Sequence, residues 1–272
     1  MKILISVDIE GVAGVFHPQQ VRAGNPEYER ARRWMTDEAN AAIAGAFDGG
    51  ATDVYVNDSH GDFRNMPADL LDPRAQAIQG KPRYLSMASG VELGIDGVCM
   101  IGYHSRAQGP GILAHTINSF AFAAIEFNGE PQSEAGIYGA LAGEYGAPVV
   151  MASGDDLFIA ENQPLFPHAT FVQTKRATGQ NSGISLSPAQ SCAAIRAGVV
   201  EALGNICSAR PLQLQMPLAV TLRTQTPALA DLFCQWPAFE RIDPVALRFT
   251  AQSVEEAVRM LNCCSAMSAM LR

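Results

Sequence analysis

The sequence predicts an α/β protein: a three-layer α/β/α N-terminal part on a largely parallel or mixed sheet, followed by a smaller α+β part. Three observations predict it. The first 58 residues run strand, helix, strand, which is a βαβ unit and favours parallel pairing. Further apolar runs follow, and several end on polar groups at what would be one edge of that sheet. The last 60 or so residues alternate shorter strand-like and helical stretches behind Arg210-Pro211, the best candidate boundary. The expected division is therefore 1–210, an α/β domain, and 211–272, a smaller α+β subdomain.

Residues 2–8 read as a buried strand. Asn25-Pro26 is an N-cap and first-turn pair, and the helix it opens should stop at Gly49-Gly50. TDVYVND (52–58) is the second strand and GVCMIGYH (97–104) the third. Residues 112–127, apolar and aromatic, lead to Asn128-Gly129, a hairpin signal. Ser133 caps a helix to about Tyr145, and APVVMASGDD (147–156) is a buried strand ending in carboxylates. A strand near 169–175, a helix after Ser187-Pro188, strands at 217–224 and 245–251 and a helix from Ser253 complete the chain.

Composition narrows the function. The chain has 272 residues, 48% hydrophobic, enough for a sizeable core. Net charge is −8, and no Lys/Arg cluster offers the basic patch that a nucleic-acid binder needs. Arg30, Arg32 and Arg33 stand among Glu27, Glu29, Asp37 and Glu38, the pattern of a solvated helix face. There is no long apolar span and no secretory signal, so the expected compartment is the cytoplasm. The six cysteines form no CxxC pair and are expected to be free packing residues.

In an open parallel sheet, sites form at the carboxyl ends of the strands. Here those ends carry Asp8-Ile9-Glu10, Asn57-Asp58-Ser59-His60, Gly102-Tyr103-His104 and Gly154-Asp155-Asp156. Asp8 and Glu10 leave one face if the strand extends that far, and two such carboxylates repel unless a cation lies between them. Imidazoles at the next two strand ends, His60 and His104, favour Zn²⁺ over the oxygen-preferring Mg²⁺. Glu134, in the first turn of the helix capped by Ser133, is either a further ligand or simple compensation of the helix dipole. Three carboxylates against two Zn²⁺ leave one positive charge, which a bridging hydroxide would neutralise; zinc brings bound water to a pKa of about 7. His115 returns to the same edge and is assigned acid/base work or transition-state stabilisation. Asp58 is expected to orient His60 from behind. Asp155 and Asp156 could hold a substrate ammonium group, or cap the next helix. Asn118 is expected beside the substrate. Lys175 reads as a surface lysine, and His17 and His168 stay unassigned.

The segments SVDIEGVAGV, VNDSHGDFRN, GYHSRAQGPGILAHT, NGEPQSEAGIYGALAGEYGAPVVMASGDD, SLSP and RFTAQSVEEA together resemble the zinc D-aminopeptidases of peptidase family M55, the DppA type, nearly end to end. The resemblance implies a dinuclear zinc centre in which Asp8 bridges, Glu10 and His60 complete one site, and His104 and Glu134 the other. His115 matches the catalytic position. The implied activity is removal of N-terminal residues, D-residues preferred, from short peptides. The implied assembly is a decamer of two stacked five-membered rings around an inner chamber. One departure is visible: Ser133 stands where the family usually has Gly. The rival functions are a related amidase acting on L-peptides, a two-metal 3′–5′ exonuclease and a non-catalytic peptide-binding protein.

Overall fold

The protein is described by a computed structural model covering residues 1–272. In chain order the first half holds β1 (Lys2–Val7), α1 (Pro26–Asp48), β2 (Asp53–Asp58), β3 (Gln76–Ile78), β4 (Gly97–Ile101), β5 (Phe122–Phe127), β6 (Glu130–Pro131) and α2 (Glu134–Glu144). Then come β7 (Val149–Asp155), α3 (Asp156–Asn162), β8 (Thr170–Gly179), β9 (Ser182–Ser185) and α4 (Pro188–Gly204). The chain finishes with β10 (Leu218–Thr224), α5 (Pro227–Phe233), β11 (Glu240–Asp243), β12 (Ala246–Ala251) and α6 (Val254–Met267).

A seven-stranded sheet has the order β3-β2-β1-β4-β7-β8-β9. All its pairings are parallel except the last, where β9 turns back on β8. Alternation along β1 feeds two cores, since strand side chains point to opposite faces in turn. Ile3, Ile5 and Val7 pack with α1 and α4 on one face, and Leu4 faces the core around α2 on the other. The chain leaves β1 for β2 on one side and reaches β4 on the other, so the order reverses at β1, the kind of crevice where ligands bind.

A second, antiparallel sheet has the order β11-β12-β10-β5-β6. It draws β5 and β6 from before residue 210 and β10 to β12 from after it, so a division at 210 follows the chain and cuts across this sheet. Between the two sheets lies α2, every residue of which from Glu134 to Gly143 is buried. A helix buried on all sides carries apolar residues all round, and small residues let its neighbours close in. A Cβ on Gly139 would meet the Phe166 ring at 2.5 Å, and one on Gly143 the Leu212 carbonyl at 2.0 Å.

The third expected strand, 97–104, stops at Ile101 because Gly102 takes a positive φ of 71° and turns the chain. Of the apolar and aromatic stretch 112–127, residues 112–121 form a loop with positive φ at Leu113 and Ile117, and Phe122–Phe127 is strand leading to the turn at Asn128-Gly129. Glu38, expected on a solvated face, is 1% exposed beneath the turn that follows β1. No helix is long and apolar enough to cross a membrane.

Candidate metal centre

The carboxyl ends of β1, β2 and β4 bring together four of the expected side chains. Strand β1 ends at Val7, so Asp8 and Glu10 do not share a regular strand face; Glu10 lies in a turn. They meet all the same at one imidazole. His60 Nδ1 is 3.3 Å from Asp8 Oδ1 and 3.0 Å from Glu10 Oε2. The other oxygen of Asp8 faces the second imidazole, with His104 Nε2 3.3 Å from Asp8 Oδ2 and 3.4 Å from Glu134 Oε2. One carboxylate thus spans two imidazoles, one oxygen to each.

Hydrogen bonds on the far side of each ring set its tautomer. A carbonyl only accepts, so a ring nitrogen bonded to one carries the proton and leaves the other nitrogen's lone pair to a cation. His60 Nε2 donates to the Val21 carbonyl at 2.7 Å, His104 Nδ1 to Ser105 at 2.9 Å and His115 Nδ1 to Leu113 at 2.9 Å. The freed atoms are the Nδ1 of His60 and the Nε2 of both His104 and His115. His115 stacks on His104 with ring centroids 4.2 Å apart and planes 10° apart, and its Nε2 is 3.9 Å from Glu134 Oε1.

The residues fit a cation. Asp8 Oδ2, Glu10 Oε2 and His104 Nε2 are buried with no hydrogen-bond partner, although they lie close to one another. Buried polar atoms of this kind are costly unless something satisfies them. Donor atoms of Asp8, Glu10 and His104 lie within 4.8 Å of one another, and so do those of His104, His115 and Glu134. The electrostatics agree. Burial alone would discharge these groups, but Glu10 and Asp8 outweigh it at His60, and Glu134 and Asp8 at His104, holding both imidazoles well above their ordinary range. Burial likewise opposes the charge of Asp8 and Glu134, and the histidines outweigh it to hold both carboxyls below the ordinary range.

Glu134 opens α2 and is aimed by the helix start. Ser133 Oγ accepts from Gly136 N at 2.9 Å and donates to Asn162 Oδ1 at 2.6 Å, so the serine caps the helix in the expected manner. Glu134 Oε1 accepts from Ile117 N at 2.6 Å, tying this carboxylate to the loop that carries His115.

Three expectations fall elsewhere. Asp58 does not touch the His60 ring; it accepts from Asn65 N, Asn65 Nδ2 and Met66 N, and so shapes the loop after His60. Asp155 caps α3 through Phe158 N and accepts from Ile112 N, while Asp156 accepts from Ala177 N. Both aspartates are committed to main-chain donors and neither lines the cleft, so they are not placed to meet a substrate amine. Asn118 does line the cleft, with its amide spent on Ser265 Oγ and Ser268 Oγ.

Asp8, Glu10, His60, His115 and Glu134 line an open cleft of about 1160 Å³. Its wall also carries Arg22, Arg32, Arg64, Lys81, Arg83 and Arg272, of which Arg32 pairs with Glu29 and both Arg64 and Lys81 with Asp62. Lys175 is not on the surface: it is 1% exposed. A bulge in the pairing of β8 with β7, between Gly154 and Asp155, turns Thr174 and Lys175 both inward and breaks the alternation a sequence reading relies on.

The family model for peptidase M55, described as D-aminopeptidase, matches residues 1–263. This chain belongs to that family. It is accordingly an aminopeptidase, a hydrolase of peptide bonds. It is 36% identical over 212 residues to a D-aminopeptidase of Bacillus subtilis strain 168, covering 78% of this chain and 77% of the relative. Its structure is also similar to that of the Zn-dependent D-aminopeptidase DppA from Bacillus subtilis, a self-compartmentalizing protease. The TM-score is 0.95 at 31% identity, over 99% of this chain and 98% of the other.

Proposed function

We propose that the chain is a dinuclear zinc aminopeptidase that releases the N-terminal residue of short peptides, with D-residues preferred. The observation that carries this reading is Asp8, whose two oxygens face His60 and His104 separately while Asp8 Oδ2, Glu10 Oε2 and His104 Nε2 have no partner. Asp8, Glu10 and His60 would hold one ion, and Asp8, His104 and Glu134 the other. Bound zinc supplies Lewis-acid polarisation of a carbonyl and an ionised water near neutral pH.

The chain's own residues do the rest. His115 keeps Nδ1 on the Leu113 carbonyl and presents Nε2 to the cleft, where it holds or delivers a proton at the scissile amide nitrogen. Stacking on His104 fixes the plane of that ring. The cleft walls, which include Phe63 and Asn118, orient a short peptide. D-selectivity is supported by the family description and by both Bacillus relatives. By the same kinship we infer a self-compartmentalizing homo-oligomer, a decamer of two stacked five-membered rings, that works in the cytoplasm, where its six free cysteines stay reduced.

A panel of D- and L-aminoacyl dipeptides, assayed with and without chelator, tests the reading. Faster, chelator-sensitive cleavage of the D-aminoacyl series is expected. Absence of chelator-sensitive cleavage in either series would overturn the zinc aminopeptidase assignment.

A further inference from the structure

Four of the five proposed ligands are aimed by a hydrogen bond of their own. His60 uses the Val21 carbonyl, His104 the Ser105 carbonyl, Glu134 the Ile117 N–H and Asp8 the Ile9 N–H. Glu10 differs: its carboxylate meets the His60 imidazole but accepts no hydrogen bond, and its Oε2 is buried. It also sits beyond the last residue of β1, in a turn. Its orientation therefore depends on how its main chain is held.

Lys175 does so. Its Nζ donates to the Glu10 carbonyl at 2.5 Å and to the Val15 carbonyl at 2.6 Å, so one ammonium ties the two ends of the turn 10–15 together. Phe16 lies beneath the same ammonium, 5.4 Å from ring centroid to Nζ. Burying an ammonium costs several kcal/mol unless its donors are satisfied, and here two carbonyls and a ring face offset that cost. An apolar side chain of similar length would fill the space without the cost but could not hold a carbonyl. The other pins are the Gly102 carbonyl, which accepts from Gly11 N at 2.7 Å on the far side of the Glu10–Gly11 peptide, and, further round the turn, Thr174 Oγ1 on Gly11 O, Glu38 Oε1 on Ala13 N and Ser185 Oγ on Gly14 N. Lys175 supplies the one side chain bonded to the main chain of Glu10 itself.

We propose that Lys175 is a positioning residue: by holding the Glu10 carbonyl it sets the direction of the Glu10 carboxylate, and zinc affinity at the Glu10/His60 pair depends on it. The inference rests on the zinc reading above. Groups behind a ligand typically contribute 10- to 100-fold in metal affinity.

The test is zinc titration of chelator-stripped full-length protein by calorimetry, with zinc content measured after desalting. In Lys175→Met one of two zinc sites should weaken by about 10- to 100-fold while the other keeps its affinity. Ser185→Ala, which frees Gly14 N at the far side of the same turn, should lower the melting temperature and leave both affinities unchanged. Lys175→Gln, one atom shorter, should show the same direction of loss and serves if the Met variant does not fold. Wild-type affinity at both sites in the Lys175 variants overturns the inference alone, as does an equal zinc loss in Ser185→Ala. Wild-type protein that binds no zinc overturns the zinc reading and this inference with it.

Discussion

Replacing Glu38 by Gln removes a buried charge from beneath the turn that carries Glu10. Glu38 Oε1 accepts from Ala13 N at 3.0 Å and from Ser191 Oγ at 2.7 Å, while Oε2 is buried without a partner. Burial pushes the carboxyl up from 4.5 to about 7, against the opposing pull of Ser191, Ala13 N and Lys175. The folded value lies above the unfolded one, so the contribution to stability is complete below about pH 4.5 and is lost as pH rises through about 7. At about 1.4 kcal/mol for each pH unit of separation, the loss approaches about 3 kcal/mol. Gln keeps the oxygen that Ala13 and Ser191 need but cannot ionise. Its amide nitrogen takes the place of the partnerless oxygen at an offsetting cost of about 1–3 kcal/mol. That cost is independent of pH, so the change with pH isolates the ionisation. Urea unfolding of stripped protein at pH 5 and pH 8, at one protein concentration, should show the stability of Glu38→Gln relative to wild type improving by about 2–3 kcal/mol between the two. Parallel behaviour of the two proteins across that range would refute an ionising Glu38.

Three further outcomes are expected. His115→Ala should retain zinc and lose about 10²- to 10⁴-fold in kcat; unchanged turnover in a steady-state assay removes His115 from the reaction. Adding zinc to stripped protein at about 100 times its Kd should stabilise it by about 2.7 kcal/mol for a single site, read as a rise in Tm; no rise means the cluster does not bind zinc in the folded state. Ser133→Ala removes the cap on Gly136 and strands Asn162 Oδ1, at about 1–3 kcal/mol. Ser133→Gly strands the same oxygen but opens the helix at a smaller capping cost of a few tenths. Denaturant midpoints of the two should differ, with Ala the less stable.

The proposed ligand residues were legible in the chain because their positions follow from local rules. Asp8, His60 and His104 each stand just past an apolar run, and a parallel sheet gathers such ends on one edge. Ser133 announced the start of α2, and with it the place of Glu134. One part of the sequence argument does not hold: Glu10 meets His60 from a turn, not from a strand face shared with Asp8. Charge and periodicity misjudged Glu38 and Lys175. Both are ionisable residues in segments that read as solvated, and their burial depends on distant parts of the chain. Ser191 and Ala13 close over Glu38, and the bulge on β8 turns Lys175 toward the turn 10–15. Asp58, Asp155 and Asp156 stand at the expected edge but are used by backbone N–H groups; the cap that Asp155 makes on Phe158 N was legible as an alternative, whereas its bond from Ile112 N and that of Asp156 from Ala177 N join distant segments.

By itself, then, the sequence determined the main elements, the parallel βαβ start of the first sheet, the candidate ligand types and the family, since each depends on neighbours a few residues apart or on a motif's identity. Only the tertiary structure decided which oxygen faces which imidazole, which ring nitrogen is left free and which buried lysine holds Glu10. The ring nitrogens of His104 and His115 are set by carbonyls one and two residues away once the loops have folded, whereas Asp8 with His60 and His104, and Lys175 with Glu10, are contacts between distant parts of the chain that exist only once the sheet has closed.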